Sequence, residues 1–252
     1  MILRASIVVA MLATAVPAAT TEIRTAAVAT TTAIRLHGDM RVIGRSVEGR
    51  DIVAYRSGES GGRVVLVVGA THGNEPKGVD VAQRIRALGA PAGVELWVVD
   101  TINPDGLVAN RRTNANGVDI NRNFSWNWNF IPRSSVTNQY SGLAAADQPE
   151  TQAIELLITQ IRPVVTVWYH QASNRVSAGG ARRELSRTYA ALVGQIVADT
   201  PCSAGCTGTG SQFTNHTVAD GTAFLVELAN SAAVTDAVVT SHATALLTIA
   251  TM

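Results

Sequence analysis

Four almost wholly apolar runs constrain this chain more than anything else: RVVLVVGA (63–70), VELWVVD (94–100), PVVTVWYH (163–170) and TAFLVEL (222–228). Each is short, continuous and rich in β-branched residues, the pattern of a strand buried on both faces. Helical spacing fills the intervals. Residues 76–88 put Val81, Ala82, Ile85 and Leu88 on one face, and residues 181–199 do the same with Leu185, Tyr189, Leu192, Val193 and Ile196. The helix after Asp147 carries Asp147 as a cap, Pro149 in the first turn and Glu150 to complete a capping box. Its apolar positions Ala153, Ile154, Leu157, Ile158 and Ile161 follow at helical intervals. A last helix covers 231–252, where Asp236, His242 and several threonines interrupt the apolar run and argue for core packing over membrane spanning. Strands alternating with helices predict an α/β fold, a mostly parallel sheet with helices on both faces. Ahead of them, MRVIGRSVEGRDIVAYRSG alternates around Glu48-Gly49 and reads as a hairpin or two edge strands. No repeat divides the chain, so residues 41–252 form one domain.

Open parallel sheets bind ligands beyond the carboxyl ends of their strands. There this chain places polar, metal-competent residues. His72 and Glu75 follow the first run, His170 ends the third and Glu227 lies near the end of the fourth. An HxxE element supplies two zinc ligands from one turn, and a distant histidine can complete a His₂Glu set. On their own, His72 and Glu75 read first as a solvated loop, and His170 as a hydrogen-bonded, partly buried histidine. The segment NPDGLVANRRTNANGVDINRNF adds Arg111, Arg112 and Arg122, either a solvated positive loop or an anion-binding set.

Twenty basic and nineteen acidic residues leave a net charge of +1, which excludes neither sign of small ligand but gives no basis for nucleic-acid binding. At the N-terminus, Arg4, the apolar run 5–16 and the small residues around Pro17 have the layout of a secretory signal over residues 1–19. That run is shorter than the about 20 residues of a spanning helix. The expected mature protein is therefore secreted or in the cell envelope, with no membrane span. Residues 20–40, rich in Ala and Thr, read as a flexible segment. In an exported protein, Cys202 and Cys206 read as a small disulfide loop.

These motifs together resemble the zinc metallocarboxypeptidases, in particular their bacterial, murein peptide amidase-like branch. IGRSVEGRDI, THGNEP, INPDG, GVDINRNF and YSGLAAADQPET are each similar to family signatures. VWYH carries the third-ligand position and FLVEL the catalytic glutamate. The resemblance implies a mixed sheet of about eight strands and one Zn²⁺ per chain held by His72, Glu75 and His170. It implies Glu227 as general base, Arg112 as the oxyanion-stabilising residue with Arg111 as its competitor, and Asn121 with Arg122 as the grip on a substrate carboxylate. Asp119 would orient His72 from behind, and Gln212 would lie at the floor of the specificity pocket. Digestive relatives carry a capping tyrosine before the catalytic glutamate; here no tyrosine lies between Tyr189 and Glu227.

The implied function is a monomeric peptidase acting beside a C-terminal residue. Its alternatives are a murein peptide amidase cutting next to diaminopimelate, a deacylase of small N-acyl amino acids, or a non-catalytic binding module. Trp126 and Trp128 in SWNWNF read as loop packing, and His216 as a surface-loop histidine, with substrate contact as the alternative for each.

Overall fold

The computed structural model describes residues 39–252, apart from 135 and 200–205. The proposed signal, the segment 20–38 and Cys202 lie outside the described residues. Asp39 and Met40, assigned above to the flexible segment, already belong to the first strand.

Two strands open the fold, β1 (Asp39–Arg45) and β2 (Asp51–Gly58), the hairpin predicted around Glu48-Gly49. Gly49 takes φ 82° at the turn, a conformation that suits glycine. The buried apolar runs then form β3 (Arg63–Val68), β4 (Val94–Val99), β5 (Val165–Gln171) and β8 (Thr222–Leu228), with short β6 (Arg175–Ser177) and β7 (Ile196–Ala198) between the last two. Among the described residues there is one eight-stranded sheet, ordered β1-β2-β4-β3-β5-β8-β6-β7. Strands β4, β3, β5 and β8 run parallel at its centre. β2 joins β4 antiparallel at one side and β6 joins β8 antiparallel at the other. The predicted α/β architecture with a mixed sheet is therefore the observed one.

Alternation along each strand splits the core into two layers. Val65, Val67, Val167, Tyr169 and Val226 point to one face, under α1 (Lys77–Leu88), α4 (Arg183–Val193) and α6 (Asp236–Ala250). Leu66, Val68, Val99 and Trp168 point to the other, under α3 (Pro149–Ile161) and α5 (Gly210–Thr217). On the first face a polar chain crosses the core. Tyr169 Oη lies 2.9 Å from Tyr189 Oη, which lies 2.7 Å from His242 Nδ1. Burial pushes the His242 pKa down to about 4, so its neutral ring accepts the Tyr189 proton.

Several local expectations are corrected. The helix expected over 181–199 stops at Val193, because Gly194 turns left-handed at φ 67° and releases the chain into β7. Leu192 and Ile196 are consequently exposed instead of buried. Leu88, at the end of α1, is exposed as well. The capping box of α3 does not form. Gln148 is the capping residue and offers no side-chain bond to the helix. Asp147 instead accepts the Leu143 and Ala144 amides, and Glu150 accepts the Val47 amide and an Asn114 amide proton. The final helix begins at Asp236, capped by Thr235 Oγ1 on the Val238 amide. The sequence reading also missed α5. Its Gly, Ser and Thr start looks like a loop, yet Thr209 caps it by accepting from the Gln212 amide. Among the described residues no helix is long and apolar enough to cross a membrane.

Candidate metal centre

The parallel pairings place distant residues side by side. β5 lies between β3 and β8, so the turn after β3 and the end of β5 become neighbours, and His170 pairs in register with Glu227. Beyond β3 the chain makes a tight turn in which the Glu75 amide donates to the His72 carbonyl at 3.1 Å. Gly73 in that turn presses on Gly106 of α2 (Pro104–Val108): a Cβ there would lie 1.9 Å from the Gly106 carbonyl carbon. The glycine is required for close approach between two loops.

His72, Glu75 and His170 are all buried, and each aims one ligand atom at a shared point. His72 Nδ1 lies 2.8 Å from Glu75 Oε1, His170 Nδ1 lies 2.9 Å from Glu75 Oε2, and the two Nδ1 atoms are 3.1 Å apart. On the far side of its ring, His72 Nε2 lies 3.0 Å from Asp119 Oδ1. A carboxylate only accepts, so that nitrogen carries the proton and Nδ1 keeps its lone pair. Two acceptors, the Nδ1 lone pair and a carboxylate oxygen, then face each other in a dry site. A proton or a metal cation relieves such a contact, and a buried N,N,O set of this kind suits zinc. The carboxylates around the site favour positive charge there. Burial would lower the His72 pKa, but the carboxylates of Asp119 and Glu75 overcome it and raise it. Burial would raise Glu75, yet His72 and His170 hold it well below the usual carboxylate range.

Asp119 is fully buried and saturated. Oδ1 accepts from His72 and, at 2.9 Å, from the Asn121 amide; Oδ2 accepts from Arg112 Nε at 3.0 Å and Nη2 at 2.8 Å. Burial opposes its ionisation, but His72 and Arg112 hold its pKa far below normal. Arg112, clamped this way, sends Nη1 to within 3.2 Å of His72 Nδ1 and 3.3 Å of Glu75 Oε1. Of the two adjacent arginines, Arg112 is thus the one at the centre. Arg111 has its Nε buried without a partner.

Asn121 and Arg122 sit in a single 3-10 turn, Ile120–Arg122. Asn121 Oδ1 accepts the Gly210 amide at 3.0 Å, which fixes its side-chain amide against the start of α5. Arg122 is 8% exposed, donates Nη1 to the Asn121 carbonyl at 2.8 Å, and leaves Nε without a partner. Burial lowers its pKa against the pull of Asp119, and no carboxylate forms an ion pair with it among the described residues. Glu227 Oε2 and His170 Nε2 are likewise buried without partners. Gln212, in α5, donates Nε2 to the Cys206 carbonyl at 3.3 Å and leaves Oε1 without a partner. Trp126 stacks on His216 at 3.3 Å between ring centres, so the tryptophan packs as expected, while His216 sits in α5 and not in the surface loop expected for it.

Residues 91–220 match the sequence profile of the zinc carboxypeptidases, which is just over half of the chain. The chain belongs to the zinc carboxypeptidase family. The matched span contains Arg112, Asp119, Asn121, Arg122 and His170, while the geometry brings His72, Glu75 and Glu227 to them from outside it. Murein peptide amidase A of Escherichia coli K12 is 33% identical over 138 residues, 50% of this chain and 57% of the amidase. Carboxypeptidase SOL1 of Arabidopsis thaliana is 30% identical over 145 residues, 51% of this chain and 28% of that protein. The chain thus spans little more than half of the first relative's length. Among solved structures, murein-tripeptide amidase MpaA from Escherichia coli O157 superposes with a TM-score of 0.68 at 23% identity, covering 82% of this chain and 91% of that one. Carboxypeptidase A from Helicoverpa armigera gives 0.73 at 18% identity, covering 84% and 67%. The profile match establishes the family, and the solved structures the fold.

The sequence reading gave Asn103 and Gln171 no role. Asn103 is fully buried; its Nδ2 donates to the carbonyls of Thr71 and Arg112 at 3.2 and 3.3 Å, tying the His72 turn to the Arg112 loop. Its signal was present, an Asn before Pro at a helix start, where such a side chain caps: Oδ1 accepts the Gly106 amide at 2.8 Å. Gln171 donates its backbone amide to Glu75 Oε2 at 3.2 Å. Nothing local announces that contact.

Proposed function

We propose that this family member is a zinc-dependent hydrolase that cleaves the amide bond preceding a residue with a free carboxylate. The observation that carries this reading is Arg122, a buried cation in no ion pair among the described residues, on the 3-10 turn that follows Asp119, whose carboxylate is already taken by His72 and Arg112. Such a group is costly to bury unless an anion joins it, and a substrate carboxylate binds a guanidinium in bidentate fashion.

His72, Glu75 and His170 would hold the ion. Bound zinc supplies Lewis acidity, polarising a carbonyl and lowering the pKa of water to about 7. The chain's own residues do the rest. Asp119 fixes the His72 tautomer and the Arg112 side chain together. Arg112 Nη1 donates to the oxygen on which negative charge develops. Glu227, level with His170 in the sheet and with Oε2 unengaged, takes a proton from the attacking water at that oxygen and returns it to the leaving amine. Asn121 and Arg122 bind the carboxylate and orient the scissile bond.

A second reading, a murein peptide amidase, is supported by the 33% identical amidase relative and by the lack of a tyrosine between Tyr189 and Glu227. In it, residues 1–19 direct the chain to the cell envelope, where muropeptides are the substrate. A cleavage panel separates the readings: free peptides, the same peptides amidated at the C-terminus, and muropeptides. Cleavage of the free form alone supports a carboxypeptidase, and cleavage confined to muropeptides supports the amidase. Equal cleavage of free and amidated peptides would overturn the role of Arg122.

A further inference from the structure

We infer that Gln171 is a positioning residue that sets the spacing between the metal ligands and Glu227. It follows His170 directly at the end of β5, between the two strands whose ends carry the rest of the centre. Its side-chain amide reaches the segments that follow both. Oε1 accepts the Lys77 amide at 2.9 Å, and Nε2 donates to the Ala229 carbonyl and to Ser231 Oγ, each at 3.1 Å. Its backbone amide donates to Glu75 Oε2.

The two arms act on opposite halves of the site. Lys77 is the first residue of α1, and the capping residue before it is Pro76, which offers no side-chain bond. First-turn amides need a partner from outside the helix. Gln171 supplies one from a strand 94 residues away, and so fixes the start of the helix that follows Glu75. The other arm holds the chain two residues beyond Glu227. The amide orientation is set by its surroundings, since the Lys77 N–H requires an acceptor and the Ala229 carbonyl a donor. Glutamate lacks the donors, and alanine lacks both arms.

A misplacement of about 1 Å between reacting groups can lower a rate about 100-fold, so a clasp joining ligand and base acts on turnover more than on substrate affinity. This inference rests on the reading of Glu227 as base. Its test uses zinc affinity by chelator competition beside steady-state kinetics on Gln171→Ala and Gln171→Glu. For the alanine variant, zinc should bind about tenfold more weakly, as when other supports behind ligands are lost, and kcat should fall about tenfold with KM within about twofold. The glutamate variant keeps an acceptor for Lys77, so zinc affinity should return toward wild type while kcat stays low. Wild-type kcat in either variant overturns the inference; if the alanine variant does not fold, the glutamate variant decides alone. Should the wild type bind zinc and hydrolyse nothing, the proposed function falls, and the affinities still judge the clasp: weakening in alanine and recovery in glutamate support it, and equal affinities reject it.

Discussion

On the His72 side of the centre, every side-chain polar atom of His72, Glu75, Asp119 and Arg112 has a partner. On the Glu227 side, His170 Nε2 and Glu227 Oε2 have none. Both sides stand at the same end of one sheet, so burial alone does not explain the contrast. The saturated side holds its groups in one geometry before any ligand arrives. The other keeps an imidazole N–H and a carboxylate oxygen unengaged for groups that come and go during a reaction. Preorganisation and vacancy are divided between two walls.

The sharpest way to break this comparison is Glu227→Gln. Turnover should fall about 10²–10⁴-fold, the usual weight of a general base, with about one zinc per chain retained by metal analysis. Loss of zinc would move Glu227 to the ligand side and erase the contrast. Acid provides a second test, aimed at the core behind the centre. His242 is held neutral, its folded pKa lowered to about 4 from an ordinary 6.5. The stability this contributes is complete above pH 6.5 and is lost as pH falls toward 4, about 3 kcal/mol in all. Thermal melts of the zinc-free protein should show the loss, and His242→Gln should flatten it. A slope unchanged by that substitution would place acid sensitivity in the centre itself. Asp119→Asn should weaken zinc binding about 10–100-fold in chelator competition, because it unsettles His72 and Arg112 at once. Arg122→Met should raise KM for free-carboxylate peptides about tenfold and raise Tm, since it removes an unpaired buried cation. A lower Tm would mean that Arg122 serves the fold first.

The strands were readable because double burial demands continuous apolar runs, and their carboxyl ends located His72, Glu75, His170 and Glu227. Asp119, Asn121 and Arg122 were readable because they share one short motif. Helix ends were harder. Asp147 looks like a cap but spends its carboxylate on the Leu143–Ala144 turn, and Leu192 sits on a helix too short to bury it. Gln171 was out of reach for a different reason. Its three side-chain partners come from segments 58 to 94 residues away, and no local pattern encodes a contact of that range.

The sheet order carries one more consequence, for kinetics. His72 and Glu75 follow a strand that gains its β5 neighbour only after nearly a hundred further residues, and Glu227 lies on β8, which joins the other side of β5 later still in the chain. Parallel pairings over such separations close slowly. The three ligand atoms therefore converge late, and zinc uptake during refolding should trail the appearance of helical signal. A fluorescent zinc probe would then time the completion of the central sheet.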